Sequence, residues 1–556
     1  MEKWWKKEVI YQIYPKSFND SNGDGIGDIK GITQKLDYLK HLGITMIWIC
    51  PIYKSPMDDN GYDISDYYGL NPEFGTMEDL EELIAEGKKR GIKVILDLVI
   101  NHTSDEHPWF VDAINNPDSP YRDYYIFKEG KDGKAPTNWR SIFGGSAWEK
   151  VADRDEYYLH VFSKKQPDLN WENEKVRQDL YDMVNYWLDK GIAGFRVDAI
   201  TFIKKDQRYQ DSEVDGVDNL SKVTRCTRNQ KGIDQFLLEL KEKTFNRHEC
   251  VTVGEAPGVS YEQLEEFIGE NGYFSMIFDF KYADLDVESG SEWFKRTNWT
   301  VKELRDLMFK SQEAIQKVGW GANFFENHDQ PRSLSKYIPQ EEDRHYYSAT
   351  MLGGLFFFLR GTPFIYQGQE IGMTNFKRES IKDFDDLSSI DQYYRSIEEG
   401  FSEAEALHII NLRSRDNSRT PMHWDATVNA GFTTGTPWLK MTENYETVNV
   451  ASQLNDPKSI FNFYRTMVQV RQESAYSNCL IFGQFNGLDL AVDHVIGYQR
   501  IHNEQSVTCL FNFSSEVTTI TLDASRENII LNNYQDVNIS GNQIKLQPYQ
   551  VILMAS

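Results

Sequence analysis

Apolar positions alternate between two periods along most of the chain. Short continuous runs at 9–14 and 45–50 predict buried strands, and between them Ile32, Leu36, Leu39 and Leu42 recur at helical spacing. Thr76 and Asp79 form the start of a capping box, followed by Leu80, Leu83 and Ile84 on one face. Gly91 closes that helix, and 93–100 is the next strand. Val176, Leu180, Met183, Val184, Trp187 and Leu188 mark another amphipathic helix, stopped by Gly191 before a strand at 194–198. Runs at 251–255, 275–280, 323–326 and 363–366 complete eight strands, mostly with a helix between neighbours. Repeated βα units imply a parallel sheet, and eight of them predict a closed (β/α)8 TIM barrel of the α/β class.

Two stretches break this rhythm. Residues 103–170 are polar, aromatic-rich and turn-rich, and predict a small inserted domain after the third strand. Residues 375–445, after the eighth strand, form a second insertion with an acidic, helix-like patch at 398–405. Beyond about 479, short alternating runs such as 507–513 and 518–522, separated by Asn, Asp and Gly, predict an all-β C-terminal domain. The expected division is therefore a barrel from 1–103 and 170–478, an inserted domain at 104–169 and a β domain at 479–556.

Composition narrows the partners. The chain has 556 residues, 85 acidic against 60 basic, for a formal charge of −25. That balance argues against nucleic acid or an anionic membrane surface, which it repels. The five cysteines are odd in number, widely spaced and without a C-x-x-C pair, which fits a reducing, cytoplasmic compartment. No apolar leader is read at 1–10, and the apolar run 351–359 is far short of the ~20 residues a membrane span needs.

The candidate chemistry lies at the C-terminal ends of the strands, where barrels build their sites. Asp97, Asn101 and His102 end the third strand, Arg196 and Asp198 the fourth, Glu255 the fifth, and His328 and Asp329 follow the seventh. A lone ionisable strand-end residue is more often a cap or an ion pair. Several carboxylates converging on one rim with Arg and His are costly without a use. Two carboxylates flanking an acetal bond are what glycoside hydrolysis requires. Arg196 lies two residues before Asp198, on the same strand face, and is expected to keep that carboxylate ionised. Glu255 is expected to hold a proton and act as general acid.

These motifs resemble the α-amylase family of glycoside hydrolases, within it the oligo-1,6-glucosidase and α-glucosidase subfamily. The likeness rests on the runs 97–102, 194–198, the strand ending at Glu255 and 326–329, and on 58–63, 166–170 and 417–424. The resemblance implies a retaining mechanism with Asp198 as nucleophile, Glu255 as acid/base and Asp329 as the third family carboxylate. It implies that Asp59, Tyr62, His102, Arg196, His328 and Arg419 line the first glucose subsite, walled by Phe143 and Phe162. Asp59 and Arg419 would together hold the non-reducing-end 4-hydroxyl, close off the pocket and make the enzyme exo-acting on short α-glucosides. In the subfamily the residue after the nucleophile tracks linkage, and Ala199 points to α-1,4 or broad preference. The alternatives are an α-1,6 (isomaltase) preference or a sucrose-active hydrolase or transglucosidase. The expected partner is a small oligosaccharide, with the chain a monomer or homodimer and no organic cofactor.

A second constellation places Asp20, Asn22, Asp24 and Asp28 in a Gly-rich loop after the first strand. Alternate hard oxygen donors suit Ca²⁺, and Mg²⁺ less well, although a hydrogen-bonded turn is the plainer reading. The resemblance implies a structural Ca²⁺ with the Ile26 carbonyl as a further ligand.

Overall fold

The computed structural model describes residues 3–522 and 528–556; residues 1–2, at the start of the stretch read for a leader, and 523–527, inside the expected β domain, lie outside the described set. Eight parallel strands close into a barrel in sequence order. They are β1 (Ile10–Ile13), β2 (Met46–Ile49), β3 (Lys93–Val99), β4 (Gly194–Asp198), β5 (Val251–Gly254), β6 (Met276–Phe278), β7 (Gly321–Asn323) and β8 (Thr362–Tyr366). β8 pairs back onto β1, with Ile10 opposite Phe364. The expected seventh strand was placed two residues too late. Glu326 belongs to the loop that follows β7, where it binds Arg332.

Side chains pointing inward fill the barrel: Trp48, Ile95, Val253, Met276, Phe278 and Phe364 are all buried there. The helix Met77–Arg90 carries the full Thr76–Asp79 capping box and stops at Gly91, whose φ of 72° suits glycine. Helix Glu174–Asp189 buries the six apolar residues that its period marks. Among the described residues no helix is long and apolar enough to cross a membrane.

The insertion after β3 folds around a three-stranded sheet of Phe127–Glu129, Glu156–Leu159 and Trp148–Lys150. The second insertion holds helices Leu387–Glu398 and Glu403–Arg413. The acidic patch at 398–405 is the break between them, not one helix. Gly400 takes φ 101°, and Ser402 caps the second helix with Glu405.

The expected 478/479 boundary falls inside a short helix, Ser477–Phe482. Two β-sheets follow, of five and three strands, with Leu510, Ile544, Leu546 and Ile552 packed between them. The run 351–359 is core: helix Tyr346–Phe357 is buried from Ser348 onward. A methyl group added at Gly354 would meet Val551 and Phe511 of the C-terminal sheet at 3.1 and 3.2 Å. Tyr498 and Arg500 of that sheet donate to the carbonyls of Leu355 and Phe358.

Candidate active site

The strand ends bring the expected carboxylates to one guanidinium. Arg196 Nη1 lies 2.7 Å from Asp97 and 2.6 Å from Asp198, and Nη2 lies 3.0 Å from Glu255. Asp97 is fixed further by the Trp48 indole at 2.8 Å and the Tyr62 hydroxyl at 3.2 Å. Three carboxylates thus face one buried cation. Burial pushes Asp198 well above the usual carboxylate range, against the pull of Arg196, and Glu255 and Asp97 add like-charge repulsion. Asp97 is likewise raised by burial to about 6. Arg196 opposes that rise, and the cluster sets a candidate acid and a candidate nucleophile side by side.

The backbone couples the two. Ala199 takes a left-handed conformation (φ 43°, ψ 32°), uncommon for a residue with a side chain. Its N–H, freed by that turn, donates to Glu255 Oε2 at 2.7 Å. The peptide after the fourth-strand carboxylate thus orients the fifth-strand one.

Opposite them lies Asp329, 3.2 Å from His328 Nε2, 3.1 Å from Arg419 and 3.2 Å from Arg415. Burial raises it, but His328, Arg415 and Arg419 outweigh burial and hold its carboxyl well below the usual range. Burial lowers His328 to about 3 and His102 to about 4, so both rings are neutral hydrogen-bonding groups at pH 7. Tyr62 stacks on His328 with its hydroxyl 2.6 Å from Nε2, and Gln12 holds Nδ1 at 2.8 Å. Phe162 packs between His102 and Phe143, with ring centroids 5.3 and 5.7 Å away. The expected lining residues therefore converge.

Asp59 and Arg419 take different partners. The cation on Asp59 is Arg415, at 3.2 Å; Arg419 instead binds Asp329 and the His328 carbonyl. Arg415 also holds Asp386 at 2.7 Å and lies over the Phe143 ring. Sequence reading missed Arg415 because the motif was started at Asn417, two residues late. Gln166 was likewise quoted only as part of a signature; its amide bridges Asp59 at 3.1 Å and His102 at 3.2 Å.

The Asp20–Asp28 loop is braced by its own backbone. Asp20 accepts from the N–H groups of Asn22, Gly23 and Gly25 and from the Thr433 hydroxyl, and Asp28 from Ser21 and Gly31. Among the described residues no three His, Cys, Asp or Glu side chains converge for a metal. Asp24 and Asp28 still have lone pairs to offer, and the all-oxygen donor chemistry fits a hard cation.

The chain matches known proteins along most of its length. The alpha-amylase catalytic-domain family matches residues 12–478, and the alpha-amylase SusG C-terminal domain matches 495–553. An oligo-1,6-glucosidase of Parageobacillus thermoglucosidasius is 43% identical, over 98% of this chain and 98% of its own. A trehalose-6-phosphate hydrolase of Bacillus subtilis (strain 168) is 41% identical, over 99% of this chain and 98% of its own. The crystal structure of isomaltulose synthase from Erwinia rhapontici NX5 superposes with a TM-score of 0.94 at 41% identity, covering 100% of this chain and 99% of that one.

Proposed function

This chain belongs to the α-amylase family of glycoside hydrolases, and from that premise we propose that it is a retaining, exo-acting α-glucosidase that releases glucose from short α-1,6-linked oligosaccharides. The observation that carries the reading is the pair of carboxylates, Asp198 and Glu255, joined through one guanidinium and one peptide N–H. Such closeness suits the ~5–5.5 Å separation of retaining enzymes, in which one group attacks and the other protonates. In this reading Asp198 attacks the anomeric carbon and forms a β-glucosyl ester. Glu255 gives its proton to the leaving oxygen, then takes one from water. Asp329, held ionised by its cations, grips sugar hydroxyls and offsets the oxocarbenium-like charge. The Arg415 bridge from Asp59 to Asp329 and Asp386 supports a closed inner wall, hence exo action.

The α-1,4 preference suggested by Ala199 has less support than the 1,6 alternative. Relatives of Parageobacillus thermoglucosidasius and Halalkalibacterium halodurans, both 43% identical, are oligo-1,6-glucosidases. A methyl-scale difference beside the nucleophile is worth only ~1–3 kcal/mol, too little to outweigh whole-chain likeness. The test is a panel of isomaltose, maltose, nigerose, kojibiose, sucrose, trehalose and trehalose 6-phosphate, with kcat/KM for each and the product anomer followed by proton NMR. Isomaltose should lead and α-glucose should appear first. A β-glucose product overturns retention, and a higher kcat/KM on maltose restores the α-1,4 reading. For the Asp20–Asp28 loop, we propose a structural Ca²⁺ held by Asp24, Asp28 and their neighbours.

A further inference from the structure

A cavity of about 1190 Å³ opens beside the acid/base strand. Ala256 and Pro257, directly after Glu255, line it on one side. Ser289, Gly290, Ser291 and Trp293, from the loop after β6, line the other. Its lining starts at the residue after the proton donor, which suits the part of the substrate beyond the cleaved bond. The loop that walls it has no strand or helix of its own from 288 to 298; one bridge, Val287 to Arg296, joins its two arms, and side-chain contacts must tie it to its neighbours.

Glu292 does so. Its Oε1 lies 3.3 Å from Lys222 and 3.5 Å from Arg140; its Oε2 lies 3.2 Å from Arg395 and accepts from Gln392 at 3.1 Å. These partners come from different elements. Arg140 belongs to the domain inserted after β3, Lys222 to the segment after β4, and Arg395 and Gln392 to helix Leu387–Glu398 after β8. The ring alternates in sign: Arg140, Lys222, Arg225 and Arg395 are interleaved with Glu213, Asp215, Asp218, Glu292 and Asp391. Arg140 is only 2% exposed and binds Asp215 and Asp218 as well. Backbone pairing adds to the brace, since Lys222 lies opposite Arg140 in a two-stranded parallel sheet, and the Lys222 ammonium donates to the Gly290 carbonyl. Burial pushes Glu292 up, yet Arg395 and Lys222 outweigh it and hold the carboxyl at about 2, so it is charged at any working pH.

We propose that Glu292 is a positioning residue for the leaving group: it clamps the loop after β6 to the inserted domain and to the helix after β8, and so sets the wall of the cavity that receives the sugar beyond the cleaved bond. The proposal rests on the glucosidase reading above. None of the groups that Glu292 binds is among those around Asp198, Glu255 or Asp329. An isolated pair here would matter little, but without Glu292 the Lys222 ammonium loses its carboxylate, and Arg140 and Arg395 each lose one of theirs.

The experiment uses the full chain with Glu292→Gln and, as a milder cut of one arm, Arg395→Gln. Each is assayed on the oligosaccharide that the wild-type protein hydrolyses best and on α-glucosyl fluoride, which has no leaving sugar. Kcat/KM on the oligosaccharide should fall by about tenfold to a hundredfold, mainly through KM, because the wall is displaced by an ångström or so. Turnover of the fluoride should be unchanged. Equal losses on both substrates, or no loss on either, in whichever variant folds overturn the proposal. Wild-type protein inert on the fluoride overturns the glucosidase reading itself, and this inference with it.

Discussion

Arg415→Met is the sharpest single test of the site as built. Methionine keeps the apolar stem and removes the charge. Arg415 is 7% exposed and bonds Asp59 and Asp329 at 3.2 Å each and Asp386 at 2.7 Å. Charge-assisted hydrogen bonds are worth ~1.5–3 kcal/mol apiece. If the Asp59 and Asp329 bonds serve the transition state, their joint loss of ~3–6 kcal/mol lowers kcat/KM by about 10²–10⁴. Stability should also fall, by ~3–5 kcal/mol, because buried carboxylates lose a partner. The pH dependence identifies the cause. Asp329 is held below its unfolded value, near 3.9, so it contributes stability above that pH and loses it as the pH falls through the depressed value. Removing Arg415 cancels part of that contribution at neutral pH. As the pH falls, Asp59, already raised by burial, takes up a proton and relieves the repulsion in the variant. The Tm gap between wild type and variant should therefore be widest near pH 7 and narrow toward pH 4. A gap that stays constant over that range, or a kcat/KM within tenfold of wild type, refutes the electrostatic account.

Further outcomes follow from other parts of the structure. Glu255→Gln should lower kcat/KM on a disaccharide by about 10²–10⁴ but far less on α-glucosyl fluoride, whose leaving group needs no proton; equal losses would remove Glu255 from the acid role. Asp198→Ala should be inactive on both while folding normally by circular dichroism, and measurable glucose release would assign the nucleophile elsewhere. His107 accepts the Trp109 N–H as a helix cap and is lowered by burial to about 4, so between that value and about 6.5 the unfolded chain binds a proton the native one refuses. Wild-type stability should therefore fall on acidification across that window by up to ~1.4 kcal/mol per pH unit more than that of His107→Asn, as read from chemical denaturation; parallel curves would contradict it. If Ca²⁺ occupies the Asp20–Asp28 loop, chelation should lower Tm and Asp24→Ala should abolish that response, whereas an unchanged Tm on chelation would remove the metal.

The barrel was legible because each strand is a short buried run and each helix carries its own stop, as at Gly91 and Gly191. Boundaries were less so where the chain stays apolar past the last hydrogen bond, as at Phe324 and Phe325 beyond β7. The catalytic carboxylates were visible because strand ends share one rim, so sequence position translates into spatial position. Arg415 was not, since its loop returns from the far insertion and nothing in local periodicity says which of two arginines four residues apart reaches Asp59. The surroundings of Asp198 were only partly legible for a similar reason. Residue spacing revealed its neighbour Arg196, but not that Asp97 and Glu255 share the same guanidinium. The Glu292 ring spans residues 140 to 395 and has no signature in the chain at all.

The junction between barrel and C-terminal sheets also bears on how this protein can be recombined. Composition invites a cut near residue 479, and family boundaries fall close by. Yet helix Tyr346–Phe357 has no polar face to show to water, and the C-terminal strands are its outer cover. Gly354 exists in that helix as a docking notch for Val551 and Phe511. A chimera that exchanges the last eighty or so residues without exchanging this helix would therefore pair mismatched halves of one interior. The natural breakpoint for shuffling lies before Tyr346, inside the barrel's own sequence, and not at the seam where the composition changes.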